Sequence, residues 1–267
     1  MNFKPQAYFI DLDGTMLDLP KKESKISEEN IRVIQLVNKT TPVIISTGRA
    51  NSEFVMSLTN KIHSPYVICQ NGGIIIDKDN NILKKNEIQK DTVLEIIQIL
   101  KDEKMFFIIN SGDIIYGSDY RLKFVRPWAK KYKVLSYDNL PKLSNSTKII
   151  TFGKTKKGII KLKEKLAHSF ENISLHIVSK GYSIEINDCN ATKGIADKFI
   201  CDLLNIDSQK AVHIGDSGND ISSLNFLGTF VCMKNAPKNI KKYATILGPS
   251  YKKSGVAKIL KKLENIL

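Results

Sequence analysis

Short apolar runs that end in polar turns recur near both ends of the chain. Four mostly apolar runs, at residues 7–10, 42–45, 66–69 and 211–214, each predict a buried strand. Helical periodicity follows at 27–38, where Ser27 can cap the helix, and again at 192–204. Because strands alternate with helices, the pattern predicts a parallel α/β sheet.

The middle of the chain has a different pattern. A helical stretch at 93–100 precedes two strands at 105–110 and 114–116, and further strands flank a helix near 159–167. We therefore predict a doubly wound, Rossmann-like parallel-sheet core interrupted by an inserted α+β cap domain. The predicted core comprises residues 1–81 and 189–267, and the predicted cap, which would select the substrate, comprises residues 82–188.

Composition narrows the class of protein. With 267 residues, of which 42% are hydrophobic and 25% charged, the chain can bury a substantial core. Its apolar runs are too short to cross a bilayer, and the N-terminus lacks the apolar stretch of a signal peptide, so we expect a cytoplasmic protein with no membrane partner. Four cysteines without CxxC spacing predict neither a zinc site nor a disulfide framework.

The net charge of +14 comes from 41 Lys and Arg against 27 Asp and Glu. Such an excess suits nucleic acid, an acidic membrane surface or anionic metabolites alike. Many of the lysines alternate with Ile and Leu in helix-like stretches, which is the usual pattern of a solvated face. Charge therefore does not select a partner.

Acidic and hydroxyl residues follow three of the predicted strands. Asp11 and Asp13 come after the first, Thr47 after the second, and Asp216 and Asp220 after the last. Ligands of open parallel sheets bind beyond the carboxyl ends of the strands, so these residues form one candidate site. Carboxylates at this density repel one another unless a hard cation neutralises them, which predicts Mg²⁺.

Two carboxylates in this arrangement suit phosphoryl transfer. Asp11 and Asp13 project to the same side of an extended chain, and Gly14 allows the sharp turn that follows. One can attack phosphorus while the other protonates the leaving oxygen, giving an aspartyl-phosphate. Thr47, Gly48, Lys193 and Mg²⁺ fit the stabilisation of the phosphoryl oxygens. Each motif alone is equally typical of turns, caps or calcium loops, so the prediction rests on their joint order.

Four segments carry a resemblance to a known family, and they are residues 11–15 (Asp-Leu-Asp-Gly-Thr), 46–49 (Ser-Thr-Gly-Arg), 193–194 (Lys-Gly) and 215–220 (Gly-Asp-Ser-Gly-Asn-Asp). The chain resembles, over nearly its whole length, the haloacid dehalogenase superfamily, in particular its Cof-like phosphatases with a type IIB cap. The segments at 71–73, 233–236 and 255–257 are also similar to segments of this subgroup.

The resemblance implies a role for each matching residue. It makes Asp11 the nucleophile and Asp13 the general acid/base, with Mg²⁺ bound by the Asp11 side chain, the Asp13 backbone carbonyl and Asp216. The phosphate would be held by the Leu12 backbone, Thr47 with Gly48, Lys193 and Asn219. Asp220 would support the metal or Lys193 from behind, and Arg49 would reach the substrate.

Two other groups of residues favour a structural interpretation. His213 lies inside an apolar strand, which indicates a packed core histidine rather than a ligand. Trp128, with Tyr120, Phe124 and Tyr132 nearby, is expected to form the core of the cap rather than line a substrate pocket.

The sequence thus favours a phosphatase that hydrolyses small phosphorylated metabolites, such as sugar phosphates, nucleotides or cofactor precursors. A phosphomutase with the same site is one alternative. A nucleic-acid-binding protein using the basic charge is another, although the chain lacks the clustered Arg and exposed aromatics of such proteins. The sequence indicates neither the physiological substrate nor an oligomeric state.

Overall fold

A computed structural model describes residues 4–20, 26–125 and 129–266. The strands are β1 (Ala7–Ile10), β2 (Val43–Ser46), β3 (Tyr66–Cys69), β4 (Ile74–Asp77), β5 (Ile82–Lys85), β6 (Phe106–Ile109), β7 (Ile114–Gly117), β8 (Lys133–Ser136), β9 (Ile149–Phe152), β10 (Ile173–Val178), β11 (Ser183–Asp188), β12 (Ala211–Gly215), β13 (Thr229–Cys232) and β14 (Ile246–Leu247). The α-helices are α1 (Glu28–Val37), α2 (Glu53–Ile62), α3 (Lys90–Asp102), α4 (Asp119–Val125), α5 (Lys156–Ser169), α6 (Lys193–Leu203), α7 (Lys238–Lys241) and α8 (Gly255–Leu263).

Internal contacts divide the chain into two compact units. The core unit comprises Met1–Lys85 and Thr192–Leu267, and the inserted unit comprises Asn86–Ala191. The core unit contains a sheet of eight strands in the order β14-β13-β12-β1-β2-β3-β4-β5. The first six strands of this order are parallel, whereas β4 and β5 add to the edge in antiparallel pairing. With β1 between β12 and β2, the segments that follow these three strands meet at one edge.

Alternate residues of the central strand face different helices. Tyr8 and Ile10 pack in a cluster with residues of α1, α2 and α8, whereas Ala7 and Phe9 pack with residues of α6. Each residue is fully buried, as expected for a parallel strand with helices on both faces. The predicted doubly wound parallel sheet is therefore confirmed.

The first helix begins as its sequence predicts. Ser27 caps α1 by accepting a hydrogen bond from the Asn30 amide at 3.3 Å. Asn30, which stands where a capping box would place Glu, is fully buried. Its side-chain amide donates to the Met16 carbonyl at 3.2 Å, and its Oδ1 accepts from the Ala257 amide at 2.9 Å. Asn30 thereby joins α1 to the turn after β1 and to α8.

The inserted unit has a six-stranded sheet of its own, in the order β10-β11-β9-β6-β7-β8. Its strands are antiparallel except for the parallel pair β7 and β8. Phe107, Ile149 and Ile184 form its core with apolar residues of α3 and α5. This α+β arrangement agrees with the predicted class of the insertion.

The observed division falls slightly later at both ends than the predicted 82–188. Residues 82–85 form β5, which pairs with β4 in the core unit, and Cys189 donates its backbone amide to Asn172 within the inserted unit. The apolar pattern did not reveal β5 because Ile82 and Leu83 are exposed and lysines follow them. The strand β8 is also absent from the sequence prediction, since no residue of it is fully buried.

The prediction of an aromatic cap core is wrong for two of its four residues. Tyr120 is 78% exposed on α4, and Tyr132 is 43% exposed just before β8. Phe107 and Tyr116 supply buried aromatic area in this unit instead. Trp128 lies outside the described residues, and the side chain of Phe124 is not among those described.

The cysteines are free thiols, with Cys69, Cys201 and Cys232 buried and Cys189 exposed. Three of the four therefore pack in the interior as small core residues, and Cys189 does not. Among the helices of the described residues, none has the length and apolar character needed to span a bilayer. The cytoplasmic location stays a prediction.

Candidate active site

Asp11 follows β1 and begins a wide turn. The Met16 amide donates to the Asp11 carbonyl at 3.1 Å, and the Leu17 amide to the Leu12 carbonyl at 3.0 Å. The Asp11 amide itself donates to the Ile214 carbonyl of β12 at 2.9 Å. These bonds hold Asp11, which is 5% exposed, at the edge of the sheet where β12 also ends.

Lys193 joins the first carboxylate to the last. Its Nζ lies 2.5 Å from Asp11 Oδ1 and 2.7 Å from Asp220 Oδ1, and its side chain is fully buried. It is the first residue of α6, where Thr192 caps the helix by accepting from the Ile195 amide at 3.2 Å. The helix start thus fixes the position from which the ammonium reaches both carboxylates.

Asp220 is held by five hydrogen bonds from the protein. Its Oδ2 accepts from the amides of Asp216 at 3.0 Å and Ser217 at 2.9 Å and from the Ser217 hydroxyl at 3.3 Å. Its Oδ1 accepts from Lys193 and from His213 Nε2 at 2.9 Å. Because both oxygens are already engaged, Asp220 is placed to orient Lys193 rather than to bind a metal directly.

The carboxyl groups of the site have different pKa values. Burial raises the pKa of Asp11 to about 6, although Lys193 opposes this shift. Burial, together with Asp11 and Asp220, raises the pKa of Asp216 to about 7. Burial also disfavours the charged form of Asp220, but Lys193 and His213 outweigh it and hold the pKa of Asp220 below its usual range. The protein therefore supplies too little positive charge to offset the burial of the Asp11 and Asp216 carboxylates.

A hard divalent cation fits this deficit. Oxygens of Asp11, Asp216 and Asp220 lie within 4.8 Å of one another. Since Asp220 is engaged by protein donors, the available ligands in this group are Asp11 and Asp216. Carboxylate oxygens are the donor type that Mg²⁺ prefers, and the charge of the ion would favour the ionised form of both buried carboxylates.

Gly14 allows the turn after β1 to approach Asp216 closely. Its φ is +84°, and a Cβ at this position would lie 2.3 Å from Asp216 Oδ2. Asn235 completes the arrangement, since its side-chain amide donates to the Gly14 carbonyl and to Asp216 Oδ2, each at 2.8 Å. A side chain at residue 14 would displace the Asp216 carboxylate.

We expect Gly14→Ala to lower the free energy of unfolding by more than about 1 kcal/mol, because alanine is strained at positive φ and collides with Asp216. Chemical denaturation measures the effect. Gly218→Ala is the control, since its Cβ would meet only Ile240 Cδ1 at 4.0 Å. Equal stability of the two variants would show that the close approach is not required.

Asp13 faces a different partner from Asp11. Arg49 donates from Nε to Asp13 Oδ2 at 2.6 Å and from a terminal nitrogen to Oδ1 at 2.5 Å. The Asp13 side chain is 58% exposed and that of Arg49 is 32% exposed. The ion pair engages both oxygens of Asp13, so it must open before either oxygen can bind another group.

Three of the predicted phosphate-binding residues, Thr47, Gly48 and Asn219, lie around Asn71. Thr47 is fully buried, and its hydroxyl accepts from the Arg49 amide at 3.2 Å. A Cβ on Gly48 would lie 3.0 Å from Asn71 Oδ1, and the Asn219 side-chain amide donates to the same atom at 2.8 Å. Asn71 therefore joins the turn after β2 to the turn after β12 and brings these three residues together.

Sequence reasoning missed several residues that organise the site. Asn71 and Asn235 lie in segments that resemble the family, but the sequence assigned them no contact. His213 is fully buried, as predicted, yet its ring lies between two carboxylates, Asp197 and Asp220. The sequence offered two signals for this contact. His213 is a polar residue inside an apolar strand, and Asp197 lies on the apolar side of the predicted helix.

The fold and site define a class of hydrolase in which a strand-end carboxylate, a buried lysine and further carboxylates meet at the edge of a parallel sheet. The chain belongs to the haloacid dehalogenase-like hydrolase family, whose model matches residues 8–260. This confirms the membership expected from the four motifs.

Two relatives match almost end to end. A phosphoglycolate phosphatase of Archaeoglobus fulgidus is 27% identical over 260 residues, which cover 97% of this chain and 96% of the relative. A 5-amino-6-(5-phospho-D-ribitylamino)uracil phosphatase of Bacillus subtilis is 28% identical over 283 residues, covering 95% and 96%. The family match and these relatives confirm the prediction of a phosphoric monoester hydrolase.

Solved structures share the fold at lower identity. A phosphatase of this superfamily from Bacteroides thetaiotaomicron has a TM-score of 0.83 at 17% identity, with 98% of this chain and 96% of that one covered. A subclass IIB sugar phosphatase has a TM-score of 0.77 at 18% identity, with 98% and 100% covered. The expected likeness to type IIB proteins is thus confirmed for the fold.

Proposed function

We propose that this chain is a Mg²⁺-dependent phosphatase that hydrolyses small phosphorylated metabolites through phosphorylation of Asp11. The contact between Lys193 Nζ and Asp11 Oδ1 at 2.5 Å carries the proposal, because it orients one carboxylate oxygen and leaves the other for attack. Relatives that act on phosphoglycolate and on a ribitylaminouracil phosphate support a small phosphate ester as the substrate.

In the first step an Asp11 oxygen attacks phosphorus, and the bond between phosphorus and the leaving oxygen breaks. Asp13, released from Arg49, gives its proton to the leaving oxygen. In the second step Asp13 takes a proton from water, and the water oxygen attacks phosphorus. The bond between phosphorus and the Asp11 oxygen breaks, which restores the Asp11 carboxylate. The products are the alcohol and inorganic phosphate.

The transition state gathers negative charge on the phosphoryl oxygens. Lys193 remains charged throughout, because the carboxylates of Asp11 and Asp220 overcome the effect of burial and raise its pKa above the usual value. The Leu12 backbone, Thr47, Gly48 and Asn219 are the proposed donors to the phosphate. Mg²⁺, bound by Asp11, the Asp13 carbonyl and Asp216, would supply further positive charge to the phosphoryl group.

The inserted unit, Asn86–Ala191, is proposed to act as the substrate-selecting cap that the sequence predicted at 82–188. Two observations support this role. The insertion forms a compact unit with its own sheet and core, and proteins of similar length in the family act on different phosphate esters. Substrate choice would then depend on side chains of the insertion, while the chemistry depends on the core unit.

The proposed metal site is tested with para-nitrophenyl phosphate, assayed with Mg²⁺ and with EDTA. We expect the wild type to lose activity in EDTA, and we expect Asp216→Asn to need at least about 10-fold more Mg²⁺ for half-maximal rate, since it loses a charged ligand. Asp202→Asn, which changes an exposed carboxylate on α6, is the control.

Activity that persists in EDTA, or an unchanged Mg²⁺ requirement in Asp216→Asn, would contradict the proposed site. A hexose 1-phosphate then separates hydrolysis from mutase activity. Hydrolysis releases inorganic phosphate, whereas a mutase would yield the 6-phosphate.

A further inference from the structure

A chain of buried polar groups extends behind Asp220, away from Asp11. His213 Nε2 lies 2.9 Å from Asp220 Oδ1, and His213 Nδ1 lies 2.7 Å from Asp197 Oδ2. The Ser46 hydroxyl donates to the other Asp197 oxygen at 3.0 Å. All four side chains are fully buried, and they come from β2, α6, β12 and the turn after β12.

The geometry defines the protonation state of His213. Each ring nitrogen faces a carboxylate oxygen, and a carboxylate only accepts hydrogen bonds, so both nitrogens carry a proton. Burial disfavours this imidazolium, but Asp197 and Asp220 outweigh it and raise the pKa of His213 to about 9. His213 is therefore a buried cation with two fixed anionic partners.

Charges alternate along the whole chain of contacts. Asp197 is negative, His213 positive, Asp220 negative, Lys193 positive and Asp11 negative, and every neighbouring pair is within hydrogen-bonding distance. In this series Asp220 receives positive charge from both sides. His213 thus neutralises part of the Asp220 charge that Lys193 would otherwise neutralise alone.

A purely structural role explains this arrangement poorly. The middle of β12 is covered on both faces, where an apolar side chain packs without the desolvation cost of a buried ion pair. Buried polar networks orient the groups they contact, and here the contacted group is the carboxylate that fixes Lys193. Asp197 in turn determines the orientation of the His213 ring.

We propose that His213 and Asp197 are positioning residues of the phosphoryl-transfer site, which hold Asp220 so that the Lys193 ammonium is directed at Asp11 and the phosphoryl group. This inference rests on the proposed function. It adds two residues outside the four family motifs, neither of which touches the reacting atoms.

A pair of substitutions isolates the contact with Asp220. In His213→Gln the amide nitrogen takes the place of Nε2 and still donates to Asp220, whereas in His213→Asn it takes the place of Nδ1 and donates only to Asp197. Both variants lose the positive charge, so they are matched in that respect. We expect kcat of the Asn variant to be at least about 10-fold below that of the Gln variant, with similar KM.

Binding of orthovanadate in the presence of Mg²⁺, measured by calorimetry, supplies a readout that needs no turnover. Orthovanadate resembles the transferring phosphoryl group, so its affinity should fall with kcat, again by at least about 10-fold between the two variants. Asp197→Asn keeps an acceptor for Nδ1 but loses the anion, and we expect it to lower kcat less than His213→Asn does. Ser64→Ala, which removes buried hydrogen bonds to Val43 and Tyr66, is the stability control.

Equal kcat and equal orthovanadate affinity of the Gln and Asn variants would overturn the inference. An active wild type would still support the proposed function in that case. Loss of kcat that follows only the melting temperature, as in Ser64→Ala, would also overturn it. A wild type that neither hydrolyses phosphate esters nor binds orthovanadate would refute the proposed function, and the positioning role with it.

Discussion

Asp11→Asn is expected to lower kcat for para-nitrophenyl phosphate by at least about 10⁴-fold, the scale of losing a catalytic nucleophile. The amide has nearly the shape of the carboxylate, and its oxygen can still accept from Lys193, but it does not attack phosphorus. Acid-quenched wild-type enzyme should carry a phosphoryl group that mass spectrometry detects, and the variant should not.

Asp18→Asn is the matched control for this experiment. Asp18 is buried to a similar extent, at 7% exposed, and its carboxylate accepts from the backbone amides of Ser27 and Ser254. It should keep most of the activity even if its melting temperature falls. Retention of phosphorylation in Asp11→Asn would place the nucleophile elsewhere and overturn the mechanism.

Lys193→Met should impair both stability and catalysis. The methionine side chain fits the space of the lysine, but Asp11 and Asp220 are then buried without their ammonium partner. This should lower the free energy of unfolding by about 3–5 kcal/mol. The loss of a positive donor at the phosphoryl group should lower kcat by about 100- to 1,000-fold. Urea denaturation and steady-state kinetics measure the two effects.

Lys198→Met gives the comparison on the same helix. Lys198 is 39% exposed and pairs with Asp202 at the surface, so its loss should change stability by no more than about 0.5 kcal/mol. If Lys193→Met proved as stable and as active as Lys198→Met, the buried ammonium would have no role in the fold or the site.

The fold was largely predictable because the central strands of the core sheet are buried on both faces. Continuous apolar runs such as β1 and β2 are characteristic of parallel sheets covered by helices. The edge strand β5 carries exposed residues and lysines, so its pairing with β4 left no apolar pattern. Tyr120 shows the converse error, since an aromatic residue in a short helix need not face the core.

The candidate site was predictable where residues follow strand ends, because sheet topology brings those positions together. Contacts made by side chains across the sheet were not predictable. The ion pair of Asp13 with Arg49 depends on the path of two turns, and the contacts of His213 depend on which face of α6 carries Asp197. Both contacts can be found only from the three-dimensional structure, because the spacing of the residues along the chain does not reveal them.

The position of β1 between β2 and β12 has a consequence for folding during synthesis. Ala7 pairs in register with Ala211, so the centre of the core sheet remains open until the ribosome has made most of the chain. Asn86–Ala191 draws every strand of its own sheet from within itself and can form earlier. One side of β1 therefore lacks its partner strand in the nascent chain until β12 has been made.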